Sequence, residues 1–141
     1  MTDLVTVWTD GSSLGNPGPS GYGFVVMCRG QMREGSGYMG EATNNQAELR
    51  AILEGLKAAK HFVQKTGLPV LVRTDSKYAI GVCARDWRPK KNKELVRDIK
   101  KVIRGLPVDV EFEYVKGHSG VAGNERCDEL ARAEAMKGKW G

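Results

Sequence analysis

The chain has 141 residues, 40% hydrophobic and 28% charged, a mix that suits one globular domain with one core. No apolar run is long enough to span a bilayer, and the N-terminus Met-Thr-Asp-Leu-Val lacks the basic and apolar regions of a signal peptide. Cys28, Cys83 and Cys127 form no CxxC pair and no zinc spacing, so the expectation is reduced, partly buried thiols in a cytoplasmic protein.

In chain order, Leu4–Thr9 alternates as a strand, with Val5 and Val7 on one face. It closes at Asp10-Gly11-Ser12, followed by a Gly- and Pro-rich loop. Tyr22–Cys28 and Gln31–Met39 read as two strands around a turn at Arg29-Gly30, the second Gly-rich as an edge strand is. A helix is expected from Thr43 or Asn44 to about Lys65, because Leu49, Ile52, Leu53, Leu56, Ala59 and Val63 recur at helical spacing. Gly67 and Pro69 end it. Val70–Thr74 is a β-branched strand closing at Asp75-Ser76, with a short helix following to about Ala84. Lys93–Arg104 is amphipathic: Leu95, Ile99, Val102 and Leu106 mark its inner side, and Lys93, Arg97, Lys100, Lys101 and Arg104 its outer side. Val108–Val115 alternates as the last strand. A final helix is expected from an N-cap at Asn124 to about Lys137, leaving 138–141 as a tail. Hairpin strands followed by strands alternating with helices predict an α/β fold: a mixed sheet with helices packed on it.

The net charge is +5, and its placement is uneven. From Arg88 to Arg104 there are eight Lys or Arg and two acids, so this segment carries the whole basic excess. That favours a polyanion bound at one face. The acids are patterned too. Two strands end alike, in Thr9-Asp10 and Thr74-Asp75. If the strands are parallel neighbours, both carboxylates reach one edge of the sheet about 5 Å apart, where open α/β sheets bind ligands. Either Asp alone reads as a turn cap. Glu48, one turn before Ile52, borders the helix's apolar face, where a carboxylate is costly without a partner. Asp128 shares a helix side with Ala131 and Ala135. Gathered in one cleft, the four would repel one another unless protonated or neutralised by a cation, and their hard oxygens suit Mg²⁺ or Mn²⁺.

The segments Thr-Asp-Gly-Ser at 9–12, Gly-Asn-Pro-Gly at 15–18, Thr-Asn-Asn-Gln-Ala-Glu-Leu at 43–49 and Thr-Asp-Ser at 74–76 resemble type 1 ribonuclease H. So do Val-Lys-Gly-His-Ser-Gly and Asn-Glu-Arg-Cys-Asp-Glu-Leu-Ala within 115–131, and the resemblance covers nearly the whole chain. It implies a five-stranded mixed sheet flanked by helices on both faces. It also implies an endonuclease that hydrolyses the RNA strand of RNA–DNA hybrids with two Mg²⁺ ions, leaving 5′-phosphate and 3′-hydroxyl ends. In that family Asp10 would bridge the metals, Asp128 would help hold the ion serving the attacking water, and Glu48 and Asp75 the ion serving the leaving 3′-oxygen. His118, in a loop with Gly117, Gly120 and Gly123, would assist proton transfer or product release. Gly11, Asn16, Asn44 and Asn45 match positions that read the two strands, and Thr43 and Asn92 match a pocket for a DNA phosphate. His61 has no assigned role.

The chain departs from long members of the family in lacking their protruding basic helix and loop. Trp87-Arg-Pro-Lys-Lys-Asn92 leads directly to the next helix, so Arg88, Lys90, Lys91 and Lys93 are expected to grip the hybrid in its place, with Trp87 anchoring the loop. Lys77 stands where some relatives have Gln, and Glu41 where some have Arg. A free-standing monomer with no obligate protein partner is expected. The rival readings are a non-catalytic binding module of this fold, a metal nuclease acting on DNA, and a domain of a reverse transcriptase.

Overall fold

The computed structural model describes residues 3–85, 87–117 and 120–140. Strands β1 (Val5–Ser13), β2 (Gly18–Cys28) and β3 (Gln31–Ala42) are successive antiparallel neighbours. Strands β4 (Val70–Thr74) and β5 (Val110–Tyr114) add in parallel beyond β1. The sheet order is β3-β2-β1-β4-β5, so β1 is central and marks the junction between the antiparallel and parallel halves. The four helices among the described residues are α1 (Asn44–Thr66), α2 (Lys77–Ala84), α3 (Lys93–Gly105) and α4 (Ala122–Trp140).

Alternation along β1 divides the core. Val5 and Val7 join Leu49, Ile52 and Leu56 of α1, with Val82 of α2 and Ile99 of α3 in the same cluster. Trp8 points the other way and packs with Val25 and with Cys127 of α4. Helices therefore cover both faces, as a sheet with two apolar faces requires. Gly21 and Gly23 of β2 lie so close to α4 that a Cβ on either would collide with it. Gly21, read as loop in the sequence, and Gly23, read as strand, both serve close packing.

Helix α1 starts where its sequence says it should. Thr43 Oγ1 accepts from the Gln46 N–H at 3.2 Å, and Gln46 Oε1 accepts from the Thr43 N–H at 2.8 Å, a reciprocal cap. Gly67, at φ 67°, ends the helix by donating its N–H to the Val63 carbonyl. On α3, Val96 is buried beside Ile99 and Leu106, while Leu95 and Val102 are only partly covered, so the inner face is rotated slightly from the predicted one.

Several boundaries differ from expectation. Strand β1 continues to Ser13 because its pairing with β2 runs on to Ser13↔Ser20, whereas its pairing with β4 stops at Trp8↔Arg73. Asp10 is thus inside a strand, opposite Gly23, and not at a strand's end. Helix α4 begins at Ala122, so Asn124 is no N-cap: it lies within the first turn and is 3% exposed. The helix also runs on through 138–140, where the expectation was a tail, with Gly138 packed against Pro19. All three cysteines are buried and free.

Candidate active site

Three elements bring the acids together. The parallel register Trp8↔Arg73, continued two residues, sets Asp10 beside Asp75. Helix α1 passes so close to β1 that a Cβ on Gly11 would collide with the backbone at Ala47 and Glu48. That approach brings the first turns of α1 up to the strand, and Glu48 with them. The Gly11 N–H donates to Asp10 Oδ1 at 2.9 Å and to Glu48 Oε1 at 3.1 Å, tying both carboxylates to one amide. One oxygen each from Asp10, Glu48 and Asp75 lies within 4.8 Å of the others. Asp128 stands outside this trio, and its Oδ2 accepts from Arg132 Nη2 at 2.7 Å across one turn of α4.

Such crowding resists ionisation. Burial pushes the Asp10 carboxyl from 3.8 up to about 7, and the charges of Asp75 and Asp128 push the same way. The hydrogen bond from the Gly11 N–H pulls it partly back. Glu48 is held well above the usual carboxylate range, by burial first and then by the Asp10 charge. Its Oε2 is buried with no hydrogen-bond partner. A buried acceptor without a donor is costly, and a cation would satisfy it.

Eight of the predicted substrate residues line a cleft of about 1010 Å³, whose lining also includes Gln46, two residues before Glu48, and Tyr78, three after Asp75, whereas Gly11 lies with the acids. Asn16, Thr43, Asn44 and Asn45 form one wall; Arg88, Lys90, Lys91 and Asn92 form the other. Lys93 lies in an adjoining recess with Lys90 and Lys91. Asn16 Oδ1 accepts from the Asn44 N–H at 3.1 Å, joining the loop before β2 to the start of α1. Thr43 serves as the helix cap, which leaves the Asn44 and Asn45 side chains to the cleft. Lys77 does not line the cleft. Its ammonium sits 5.1 Å from the centre of the Tyr114 ring, at the end of β5. His118 lies outside the described residues.

Sequence reasoning missed three participants. Arg132 was legible as the residue four positions after Asp128. Gly117 was read only as a loop glycine, yet its backbone approaches Asp75, with 2.8 Å from an ideal Cβ to Asp75 Oδ2. Tyr78 also lines the cleft, and nothing in its local pattern announced that.

A mixed five-stranded sheet with helices on both faces and carboxylates clustered at its central junction defines the ribonuclease H-like class of α/β folds. The family model described as RNase H matches residues 2–136. The ribonuclease H of Sulfurovum sp. (strain NBC37-1) is 40% identical over 141 residues, covering 94% of this chain and 91% of that protein. The crystal structure of RNase H1 from the halophilic archaeon Halobacterium salinarum NRC-1 superposes with a TM-score of 0.79 at 32% identity, covering 95% of this chain and 98% of the other. LC11-RNase H1, solved in complex with an RNA/DNA hybrid, gives 0.82 at 29% identity over 94% and 97%. The chain belongs to the ribonuclease H family and is an enzyme of that family.

Proposed function

We propose that this enzyme cuts the RNA strand of RNA–DNA hybrids internally, by hydrolysis, leaving 5′-phosphate and 3′-hydroxyl ends. One observation carries the reading: Asp10, Glu48 and Asp75 converge within 4.8 Å beside a cleft lined by amides and cations. The complex of LC11-RNase H1 with an RNA/DNA hybrid supports the same substrate.

The donor set suits Mg²⁺, with Mn²⁺ as a substitute. It consists of carboxylate oxygens alone, and Glu48 Oε2 is a buried acceptor left without a donor. Asp10, Glu48 and Asp75 would hold one ion, and Asp10 with Asp128 a second. Such ions supply positive charge that offsets the phosphate and favours attack by water. The chain's own work is orientation. The Gly11 amide fixes the carboxylates of Asp10 and Glu48. The Asn16, Asn44 and Asn45 amides offer donors and acceptors suited to 2′-hydroxyls, which distinguish RNA from DNA. Arg88, Lys90 and Lys91 face backbone phosphates from the other wall, and His118 moves a proton. In this reading the chain works in the cytoplasm as a single-domain monomer.

The test is cleavage of matched RNA–DNA, RNA–RNA and DNA–DNA duplexes with Mg²⁺ and with Mn²⁺. Cleavage confined to the hybrid's RNA strand, with product 3′ ends that a polymerase extends, is the expected result. Binding without cleavage, or cutting of DNA duplexes, overturns it.

A further inference from the structure

The cleft holds a hydrogen-bonded pair, Asn92 and Tyr78, of which no motif singles out Tyr78. Tyr78 is the second residue of α2, three positions after Asp75, and its ring packs against the main core. Its hydroxyl emerges at the cleft, where it accepts from Asn92 Nδ2 at 3.3 Å and donates to the Lys91 carbonyl at 3.5 Å. Asn92 itself is unusual. It is the N-cap of α3 but sits in the left-handed region, at φ 63° and ψ 26°, and its side chain makes no cap hydrogen bond. An N-cap Asn ordinarily turns its oxygen onto the helix amides. Here the side chain faces Tyr78 across the cleft wall.

We propose that Tyr78 is a positioning residue that fixes which way the Asn92 amide faces, and so tunes the cleft for an anionic oxygen of the substrate backbone. The reasoning is one of proton supply. A tyrosine hydroxyl has a single proton, and here it goes to the Lys91 carbonyl. Only lone pairs remain for Asn92, which must therefore present its NH2 and not its carbonyl. The second amide hydrogen stays available to the cleft. The hydroxyl also holds the backbone at Lys91, itself one of the lysines that line the cleft. Without it the amide is free to turn over, and its carbonyl would repel a phosphate oxygen. Because Asp75 lies in the two-residue link between β4 and α2, the contact also ties the 88–92 segment to the element that follows an acid of the site.

The proposal rests on the reading of the cleft as a grip for the hybrid's backbone, and the experiment separates the two. Tyr78→Phe keeps the ring in the core and removes only the hydroxyl. Hybrid cleavage in Mg²⁺ is measured for the wild type, Tyr78→Phe, Asn92→Ala and the double variant. Tyr78→Phe is expected to raise KM about three- to tenfold while leaving kcat within twofold. Asn92→Ala raises KM by at least as much, and the double variant matches Asn92→Ala alone, because Tyr78 acts through Asn92. A KM for Tyr78→Phe within twofold of wild type overturns the proposal, as does a double variant whose losses multiply. A drop in kcat at unchanged KM does so too, since it places Tyr78 in the chemistry. If Asn92→Ala leaves KM unchanged, the cleft is no backbone grip and the underlying reading falls first.

Discussion

Asp10 sits where the fold is hardest on a charge and the reaction needs one. Buried among Glu48, Asp75 and Asp128, its carboxyl is raised from 3.8 to about 7. The unfolded chain therefore releases this proton before the native state does. The native state is favoured fully below about pH 4, and that advantage is lost as pH rises through about 7. Metal-free enzyme should accordingly be more stable at pH 5 than at pH 8, by on the order of 2–4 kcal/mol from this coupled group. Denaturant melts in EDTA at the two values measure it, and flat stability between them contradicts the burial. Asp10→Asn removes one of the two raised carboxyls, so it should reduce the dependence, leaving what buried Glu48 contributes, and stabilise the metal-free protein at pH 8. It should also cut turnover by about a thousandfold or more. Added Mg²⁺ should raise Tm more at pH 8 than at pH 5, because protons compete for the same oxygens. Gly11 makes a separate case. A Cβ there meets the backbone at Ala47 and Glu48, not a side chain that can swing away. Gly11→Ala should destabilise by about 1–3 kcal/mol and lower kcat by moving Glu48 off the shared amide. Wild-type stability in that variant would show that α1 tolerates displacement.

At the scale of elements, the parts that local pattern determines were legible and the parts set by neighbours were not. The apolar spacing from Leu49 to Val63 and the Thr43–Gln46 pair are local, and α1 begins within a residue of its expected start. Thr43→Ala should cost about 1 kcal/mol through the lost cap, read as a lower denaturation midpoint with unchanged slope. By contrast, the end of β1 depends on β2, which goes on pairing after β4 has stopped, and no feature of Asp10-Gly11-Ser12 by itself announces that. Asn124 illustrates the same limit: it is a good cap by type, yet α4 begins two residues earlier and Asn124 is buried within its first turn. The four acids were found by pattern and resemblance, but the Asp128–Arg132 pair came from the structure. That pair has a consequence for metal. Arg132 competes with a cation for Asp128, whose side chain is only 15% exposed. Arg132→Ala should lower the Mg²⁺ concentration for half-maximal activity about two- to fivefold. A higher requirement would mean that Arg132 instead aims Asp128 at the site.

Across the whole molecule, charge is divided by function. Several acids outside the site have partners: Glu34 with Arg126, Glu54 with Arg50, Glu113 with Arg73. Among the described residues, none of the eight cations from Arg88 to Arg104 forms an ion pair with an acid. That imbalance is poor for stability, since like charges repel along one segment, and it suits a surface kept ready for phosphates. The cleft wall concentrates the effect at Arg88, Lys90 and Lys91. Only three cations line this cleft, on a short segment of chain. Binding should therefore be modest and dominated by counterion release. With four or so phosphates neutralised, affinity for a hybrid should fall about a hundredfold or more between 50 and 200 mM salt. Lys90→Ala and Lys91→Ala should each lower the log–log salt slope by about one, whereas Lys65→Ala, at the far end of α1, should leave it unchanged. The measurement uses enzyme in EDTA, so that binding is read without cleavage. A slope that ignores Lys90 and Lys91 but responds to Lys65 would move the hybrid to the opposite end of α1, away from the acids. A slope near zero for the wild type would mean that amides, not cations, hold the substrate, and that the basic segment serves some other partner.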